Sequence, residues 1–226
     1  MSDKKTEMPS THDQQADAYY GHSRREMLPF FPAKAGRILD VGCGSGGFGR
    51  LLKSALTGVE VWGVEPTQSA FDQARAGLDR VLHGYFDESL QLPDAHFDTI
   101  VFNDSLEHFP DERPALQLAH RLLKQDGRIV ASIPNVRYWP HVQHYLLDGD
   151  WKYESAGILD RTHLRFFTRR SIERTFGEAG FVIQQLEGIN PCWTGLKFKL
   201  LNTLFPGRTA DMPFAQFAVV AGKNQG

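Results

Sequence analysis

The sequence predicts an α/β fold of the doubly wound class, with a mostly parallel sheet of about seven strands. Apolar, β-rich runs alternate along the chain with helical patterns, which is typical of a parallel sheet covered by helices on both faces. The runs 97–103 and 127–133 are apolar on both faces, as central strands are. At 226 residues the chain suits one such domain with a substantial core.

The N-terminal part of the chain is expected to stand apart from this sheet. Residues 1–16 are polar and nearly free of large apolar side chains, which predicts a disordered tail. A helix is predicted over 17–28, because Pro29 and Pro32 would stop it. Residues 17–226 are then expected to form a single domain.

The other elements are predicted from the alternation of apolar runs and helical patterns. The last helix is expected to begin after Thr168, a suitable N-cap, and to end at Gly180. Strands are predicted at 37–41, 59–64, 80–83, 97–103, 127–133, 181–187 and 214–221. Helices are predicted at 47–56, 67–77, 112–124 and 169–179.

Two segments do not fit the alternation. Residues 135–167 are rich in Tyr, Trp, His and Arg, and residues 190–212 hold an apolar stretch between the last two strands. Ligands of open α/β sheets bind beyond the carboxyl ends of the strands. Insertions near that edge are therefore expected to act as a lid or a substrate region.

Composition excludes several kinds of partner. The formal net charge is −2 and, after the first few residues, no Lys/Arg run is longer than Arg169-Arg170, so nothing favours nucleic acid. The two cysteines, Cys43 and Cys192, form neither a disulfide framework nor a zinc pattern, which favours a cytoplasmic protein. No apolar run is long enough for a transmembrane segment. The oligomeric state stays open.

The stretch 38–49, ILDVGCGSGGFG, predicts a turn that binds a cofactor. Gly42, Gly44 and Gly46 can adopt positive φ and carry no Cβ, so a ligand can lie against the turn and against the N–H groups of the next helix. Asp40 closes the strand before the turn, and a carboxylate there suits a ligand with an ammonium group or ribose hydroxyls.

The glycines alone leave the type of cofactor open. Gly42, Gly44 and Gly47 also match the pattern G-x-G-x-x-G, and Glu65 follows at nearly the spacing of a dinucleotide fingerprint. An NAD(P)-dependent oxidoreductase is therefore one alternative at this point.

Five motifs occur in a consistent order between Tyr20 and Lys223. They are ILDVGCGSG at 38–46, VEPTQSA at 64–70, FDTIVFNDSLEHFPD at 97–111, LLKQDGRIVASIPN at 122–135 and GILDRTHLRFFT at 157–168. Together they resemble class I S-adenosylmethionine-dependent methyltransferases, especially small bacterial enzymes often linked to polysaccharide or natural-product sugar modification. The last motif resembles a signature of that narrower subgroup.

The resemblance implies a Rossmann-like sheet whose last strand is antiparallel, S-adenosylmethionine as the cofactor, and methyl transfer to oxygen of a small-molecule or saccharide acceptor. It also favours methyl over hydride transfer, because Asp40 at the strand end and the pair Glu107-His108 have no counterpart in dinucleotide folds. A regulatory module that binds S-adenosylmethionine without turnover is the other alternative.

The resemblance assigns the methionine end of the cofactor to the first turn and the fourth strand. Gly42 and Gly44 would bring the backbone against the methionine moiety, and Asp40 would lie near its ammonium group, directly or through water. Asn103, at the end of the fourth strand, is a candidate for the same moiety.

Two acids are assigned to the adenosine end. Glu65 closes the second strand and is expected to accept both ribose hydroxyls. Asp87 would accept from the adenine amino group, with Phe86 packed on the ring. The chain has Gly84-Tyr85-Phe86-Asp87 where the family more often has Gly-Asp, so a plain surface acid is the alternative for Asp87.

Two histidines are the catalytic candidates, because a hydroxyl acceptor needs a general base. His108 follows the fourth strand near the expected position of the methyl group, and His163 lies in the subgroup signature beside Asp160 and Arg165. The alternatives are that His108 braces its loop with Glu107, and that His163 belongs to a buried polar network.

The insertion 135–167 supplies the candidates for substrate binding. Arg165 suits a bidentate grip on an anionic group, and Tyr138 and Trp139 suit stacking against a sugar or an aromatic acceptor. His141 and His144, with an aspartate of the same insertion, are too loosely spaced to predict a metal site, so no metal is expected.

Overall fold

The computed structural model describes residues 24–32 and 34–224. The predicted tail at 1–16 and most of the predicted helix at 17–28 lie outside the described residues. Within the described part of the chain, no helix is both long and apolar enough to cross a bilayer.

A seven-stranded mixed sheet forms the centre of the molecule, with strand order β3-β2-β1-β4-β5-β7-β6. All neighbours pair in parallel except β7, which is antiparallel to both β5 and β6. The predicted doubly wound fold and its antiparallel last strand are therefore confirmed. The strands are β1 Arg37–Val41, β2 Glu60–Glu65, β3 Arg80–His83, β4 Phe97–Asn103, β5 Leu123–Pro134, β6 Phe181–Pro191 and β7 Phe214–Lys223.

Helices link these strands and lie on both faces of the sheet. They are α1 Gly47–Ala55, α2 Gln68–Ala74, α3 Glu112–Leu122, α4 Trp139–Asp148, α5 Arg169–Glu178 and α6 Leu196–Leu204, with 3₁₀ turns at Arg25–Phe30, Glu88–Leu90 and Leu106–His108. Side-chain caps mark several starts: Asp111 accepts from the Arg113 N–H at α3, and Thr168 forms a capping box with Ser171 at α5.

The described end of the predicted N-terminal helix differs from expectation. The structure has a 3₁₀ turn over Arg25–Phe30 that contains Pro29, although proline was expected to end a helix there. Met27 and Phe30 are both buried in the core, and a short 3₁₀ turn loses little to the missing proline N–H. Burial of these two side chains therefore stabilises a 3₁₀ turn that contains the proline.

The core has two layers, one on each face of the sheet. Ile100 and Phe102 of β4 pack in one layer, while Val101 between them packs in the other. In β5, Ile129 and Val130 divide between the same two layers. Strands β4 and β5 are thus buried on both faces, as their continuous apolar sequence predicts.

Strand order places a crevice between β1 and β4. The chain leaves β1 towards β2 on one side and later enters β4 on the other, so the loops beyond their carboxyl ends diverge. Such a switch point is where open α/β sheets bind ligands. The β1 loop contains the glycine turn, and β4 ends at Asn103.

The two insertions pack against each other. Arg137 forms an ion pair with Asp211, with Nη1 to Oδ1 at 2.8 Å, and the ring of Trp139 lies 5.4 Å from that of Phe198 in α6. Helix α4 was not predicted, because none of its residues is buried and its sequence has no buried apolar stripe. The insertions thus form one structural unit beside the sheet.

Replacement of Phe176 by Ala is expected to lower the free energy of unfolding by about 3–5 kcal/mol. The Phe176 ring is fully buried in α5 and lies 6.2 Å from the Phe181 ring, so its loss leaves a cavity far from the cofactor turn. Urea unfolding followed by circular dichroism measures the change. The control is Val182→Ala on β6, where the side chain is half exposed; equal losses for both variants would contradict the described packing.

Candidate active site

The glycine turn is held against the neighbouring strand. Gly42 and Gly44 have φ of 74° and 52°, which a residue with a side chain rarely adopts. The N–H groups of Gly42 and Cys43 both donate to the Val64 carbonyl, at 2.9 and 3.1 Å. A Cβ at Gly42 would lie 3.2 Å from the Cβ of Ser105, so the turn passes directly under the loop after β4.

Glu65 joins this turn to the end of β2. Its Oε2 accepts a hydrogen bond from the Gly44 N–H at 2.9 Å, and its Oε1 accepts one from the Thr67 N–H at 2.9 Å. The side chain is almost fully buried, so the position of the carboxylate is fixed. Each oxygen keeps a second acceptor site, which suits a ligand with two adjacent hydroxyls.

Unsatisfied polar atoms line the crevice between β1 and β4. Asp40 Oδ2, both amide atoms of Asn103 and the hydroxyl of Ser105 are buried and have no hydrogen-bond partner among the residues the structure describes. Buried polar atoms are normally paired, so unpaired ones indicate a ligand. An amino acid moiety has both donors and acceptors for this set, and the methionine end of S-adenosylmethionine therefore fits the crevice.

The carboxyl group of Asp40 is perturbed by its surroundings. Burial, and to a smaller extent the nearby charge of Glu65, raises the pKa of Asp40 to about 7. A cation placed beside it would stabilise the ionised form. This matches the predicted position of the cofactor ammonium group.

Asp87 is placed differently from the other predicted cofactor residues. It is exposed and caps the 3₁₀ turn Glu88–Leu90, where its Oδ1 accepts from the Ser89 N–H at 2.9 Å; this hydrogen bonding lowers the pKa of Asp87. Phe86 is buried in the core, 5.7 Å from the Phe102 ring, and its packing on an adenine stays a prediction. The role of Asp87 stays a prediction.

The two predicted catalytic histidines are adjacent. His108 ends the 3₁₀ turn after β4, His163 lies in the insertion 135–167, and their ring centroids are 4.8 Å apart at an interplanar angle of 76°. The insertion is tied to this turn because Leu164 and Arg165 both donate backbone N–H groups to the Glu107 carbonyl, at 2.8 and 3.0 Å. Sequence reasoning named both histidines but did not place them together.

Backbone carbonyls fix the tautomers of both rings. His108 Nδ1 lies 3.2 Å from the Thr162 carbonyl, and His163 Nδ1 lies 3.0 Å from the Ile158 carbonyl. A carbonyl only accepts, so each Nδ1 must donate, and each neutral ring keeps the lone pair on Nε2. Burial, followed by the charge of His163, lowers the pKa of His108, which favours its neutral form.

Glu107 is a site residue whose importance the sequence did not reveal. Its side chain is 1% exposed, and neither carboxyl oxygen has a hydrogen-bond partner in the described ranges 24–32 and 34–224. His163 Nε2 lies 3.8 Å from its Oε1. Burial, and then the charge of Asp104, raises the pKa of Glu107 well above its ordinary value. The only signal in the sequence was its position before His108.

A second acid beside this cluster, Asp104, is partly buried and forms an ion pair with Arg24. The guanidinium Nη2 lies 2.6 Å from Asp104 Oδ2 and donates to the Ser132 hydroxyl at 2.5 Å, while Gln216 Nε2 donates to Asp104 Oδ1 at 2.6 Å. These contacts link the first described residues to the ends of β4, β5 and β7. This pairing could not be predicted from the sequence, because the partners are distant along the chain.

The predicted substrate residues lie in the insertion unit. Arg165 Nε pairs with Glu112 at 3.1 Å, and the ring of Trp139 packs on Phe198. Tyr138 precedes α4 and its ring lies 5.5 Å from that of His141. Of these three residues, Arg165 contacts the turn that carries His108, because its backbone N–H donates to the Glu107 carbonyl at 3.0 Å. The roles of Arg165, Tyr138 and Trp139 stay predictions.

A glycine turn at a switch point serves nucleotide cofactors of several kinds, but the acid closing β1 and the histidines after β4 favour an S-adenosylmethionine-dependent methyltransferase. The chain belongs to the family described as a methyltransferase domain, whose model matches residues 12–186. This confirms the predicted class of enzyme and its cofactor, S-adenosylmethionine.

Named relatives include O-methyltransferases. The chain is 36% identical over 111 residues to a 27-O-demethylrifamycin SV methyltransferase from Amycolatopsis mediterranei, covering 46% of this chain and 40% of that protein. It is 25% identical over 174 residues to a ubiquinone biosynthesis O-methyltransferase from Alkalilimnicola ehrlichii, covering 74% of this chain and 68% of that protein. The chain thus spans less than half of the first relative.

Solved structures share the fold. A SAM-dependent methyltransferase from Archaeoglobus fulgidus superimposes with a TM-score of 0.71 at 20% identity, covering 95% of this chain and 100% of that chain. An S-adenosylmethionine-dependent methyltransferase from Mesorhizobium loti gives a TM-score of 0.58 at 21% identity, covering 92% of this chain and 98% of that chain. At these identities the likeness concerns the fold.

Binding of S-adenosylmethionine near a pH of about 6 is expected to release up to one proton. Asp40, with a pKa of about 7, is largely protonated in the free protein, and the cofactor ammonium would favour its ionised form. Affinity should therefore rise with pH until about 7 and then level off. Calorimetry in two buffers of different ionisation enthalpy counts the protons.

The matched variant for this measurement is Asp40→Asn, which keeps the shape of the side chain but cannot ionise. It should bind the cofactor more weakly and without the proton release attributed to Asp40. If wild type and variant release the same number of protons, Asp40 does not contact the ammonium group in its ionised form.

Proposed function

We propose that this protein transfers the methyl group of S-adenosylmethionine to an oxygen of a small-molecule or saccharide acceptor, with His108 and His163 as the groups that activate the acceptor. The observation that carries this proposal is the histidine pair, whose Nε2 lone pairs lie beside the loop that also closes the cofactor crevice. The names of both cited relatives refer to oxygen methylation, which supports oxygen as the site of transfer.

The cofactor supplies a methyl group that is already electrophilic, so the main task of the protein is positioning. Holding two reactants in line can contribute on the order of 7–11 kcal/mol to lowering the barrier. The hydroxyl must also lose its proton as the new bond forms. A neutral imidazole with a free Nε2 can accept that proton, and the Nδ1 contacts of His108 and His163 leave Nε2 as the acceptor atom of each ring.

The insertion unit is the proposed acceptor pocket. It contains His163, and backbone hydrogen bonds from Leu164 and Arg165 to Glu107 join it to the turn that carries His108. We assign the guanidinium of Arg165 to an anionic or hydroxyl-rich part of the acceptor, and Tyr138 and Trp139 to its rings.

Both Cys43 and Cys192 are free thiols, in keeping with the proposed cytoplasmic location.

The test has two stages. Calorimetric titration with S-adenosylmethionine and separately with NAD first establishes the cofactor, and binding of NAD alone would overturn the proposal. Incubation with S-adenosylmethionine carrying a tritiated methyl group, and with panels of saccharides and phenols, then detects transfer. Cofactor binding without transfer to any acceptor, in a protein that is otherwise folded, would instead indicate a regulatory module.

Replacement of His108 or of His163 by Ala is expected to reduce kcat for the identified acceptor by about 10²- to 10⁴-fold. Each change removes an Nε2 lone pair at the acceptor but no contact of the cofactor crevice. Cofactor affinity should therefore stay near the wild-type value. Single-turnover rates and calorimetry measure the two quantities separately.

The control is His144→Ala, because His144 lies on the exposed side of α4 and pairs with Asp148. Its kcat should remain at the wild-type level. Unchanged rates for both the His108 and the His163 variants would remove these residues from the catalytic role.

A further inference from the structure

We propose that Glu107, His108 and His163 bind one divalent transition-metal ion of the Zn²⁺ type. The catalytic part of this inference rests on the proposed function, but the binding of the ion does not. It departs from the sequence, which predicts no metal. The histidines considered there, His141 and His144, do not converge, whereas these three side chains offer ligand atoms that all lie within 4.8 Å of one another.

The spacing suits a single ion. Zn²⁺ forms bonds of about 2.0–2.2 Å to histidine nitrogen and to carboxylate oxygen. In this cluster His163 Nε2 and Glu107 Oε1 are 3.8 Å apart, too far for a hydrogen bond. An ion between these atoms, with small rotations of the side chains, brings all three within bonding distance.

The histidines are already oriented as metal ligands are. In metal sites the ring nitrogen that does not bind the ion usually donates to a carbonyl or a carboxylate, which fixes the tautomer. His108 and His163 both donate through Nδ1, to the carbonyls of Thr162 and Ile158. Both therefore present the unprotonated Nε2 to the cluster.

The surroundings of Glu107 favour a bound cation. Glu107 is 1% exposed and, among the described residues, nothing donates a hydrogen bond to its carboxyl oxygens. The charge of Arg24 acts on Glu107, but its guanidinium is paired with Asp104, at 2.6 Å. Asp160 adds a further acid, whose Oδ1 accepts from Thr162. A buried carboxylate without a partner is costly, and a bound divalent ion offsets that cost.

Two histidines and one glutamate form a ligand set typical of catalytic zinc, which keeps a further position open for water or substrate. The acceptor hydroxyl would occupy that position. Its oxygen would bind to the ion and its proton would pass to solvent. The oxygen would then form a bond to the methyl carbon while the carbon–sulfur bond of the cofactor breaks, so that S-adenosylhomocysteine leaves with the electron pair on its sulfur. In the metal-bound protein His108 and His163 then act as ligands, and ionisation of the hydroxyl is achieved by the ion.

Titration of the full chain with Co²⁺, after removal of metal by a chelator, tests the site through the visible absorption bands of the bound ion. We expect one Co²⁺ per chain and displacement of the bands by Zn²⁺. Loss of a residue that only hydrogen-bonds a metal ligand lowers metal affinity by roughly 10- to 100-fold, and loss of a ligand should cost at least as much. Glu107→Gln, which keeps the size of the side chain, and His163→Ala should therefore each lower the affinity for Co²⁺ by at least that factor. His144→Ala, the surface control, should bind as wild type does.

The outcomes separate this inference from the proposed function. Absence of a Co²⁺ band in the folded wild-type protein, or bands that survive in both Glu107→Gln and His163→Ala, would overturn the metal site. Methyl transfer that proceeds at full rate after removal of metal would overturn its catalytic role while leaving the proposed function intact. Tight binding of Co²⁺ at these residues without methyl transfer would instead contradict the proposed function and support the site.

Discussion

Burial of acidic groups at one edge of the sheet is the constraint on which the rest of this structure depends. Asp40 lies near the carboxyl end of β1, and Glu107 lies in the turn after the neighbouring strand β4. Both side chains are almost fully buried, and each has at least one carboxyl oxygen without a partner among the described residues. Burial raises the pKa of both groups, and a bound cation would offset the cost of ionising them. At Asp40 the cofactor ammonium group would supply the charge, and at Glu107 a metal ion would do so. Burial of these two acids lowers the stability of the folded protein, but it leaves two positions where a cation would bind.

One short stretch of chain serves both halves of the chemistry. Asn103 ends β4 beside the cofactor crevice, Ser105 lies over Gly42, and Glu107 with His108 follows on the side proposed for the acceptor. Because the stretch is short and bonded to its neighbours, the distance between cofactor and acceptor is set by backbone geometry. Rotation of long side chains has little influence on it. This is the kind of pre-organisation that methyl transfer needs, since in-line geometry accounts for much of the catalysis.

The fold was predictable because its central strands are buried on both faces and therefore appear as continuous apolar runs, as in 97–103. The cofactor turn was predictable because positive φ demands glycine at Gly42 and Gly44. Helix α4 was missed since it buries none of its residues and has no apolar period to detect. The adjacency of His108 and His163 depends on the path of the insertion, which is fixed by backbone hydrogen bonds to Glu107 that leave no trace in residue type.

The ion pair between Arg24 and Asp104 limits how far the chain can be shortened from its N-terminal side. Arg24 precedes the first strand, yet its guanidinium neutralises an acid directly beside the catalytic loop and bridges to Ser132 and Gln216. A fragment that began at β1 would contain every strand and the whole glycine turn, but the partly buried Asp104 would lose its cationic partner. For expression and for dissection into fragments, the functional boundary therefore lies before Arg24, well ahead of the boundary that the sheet alone would suggest.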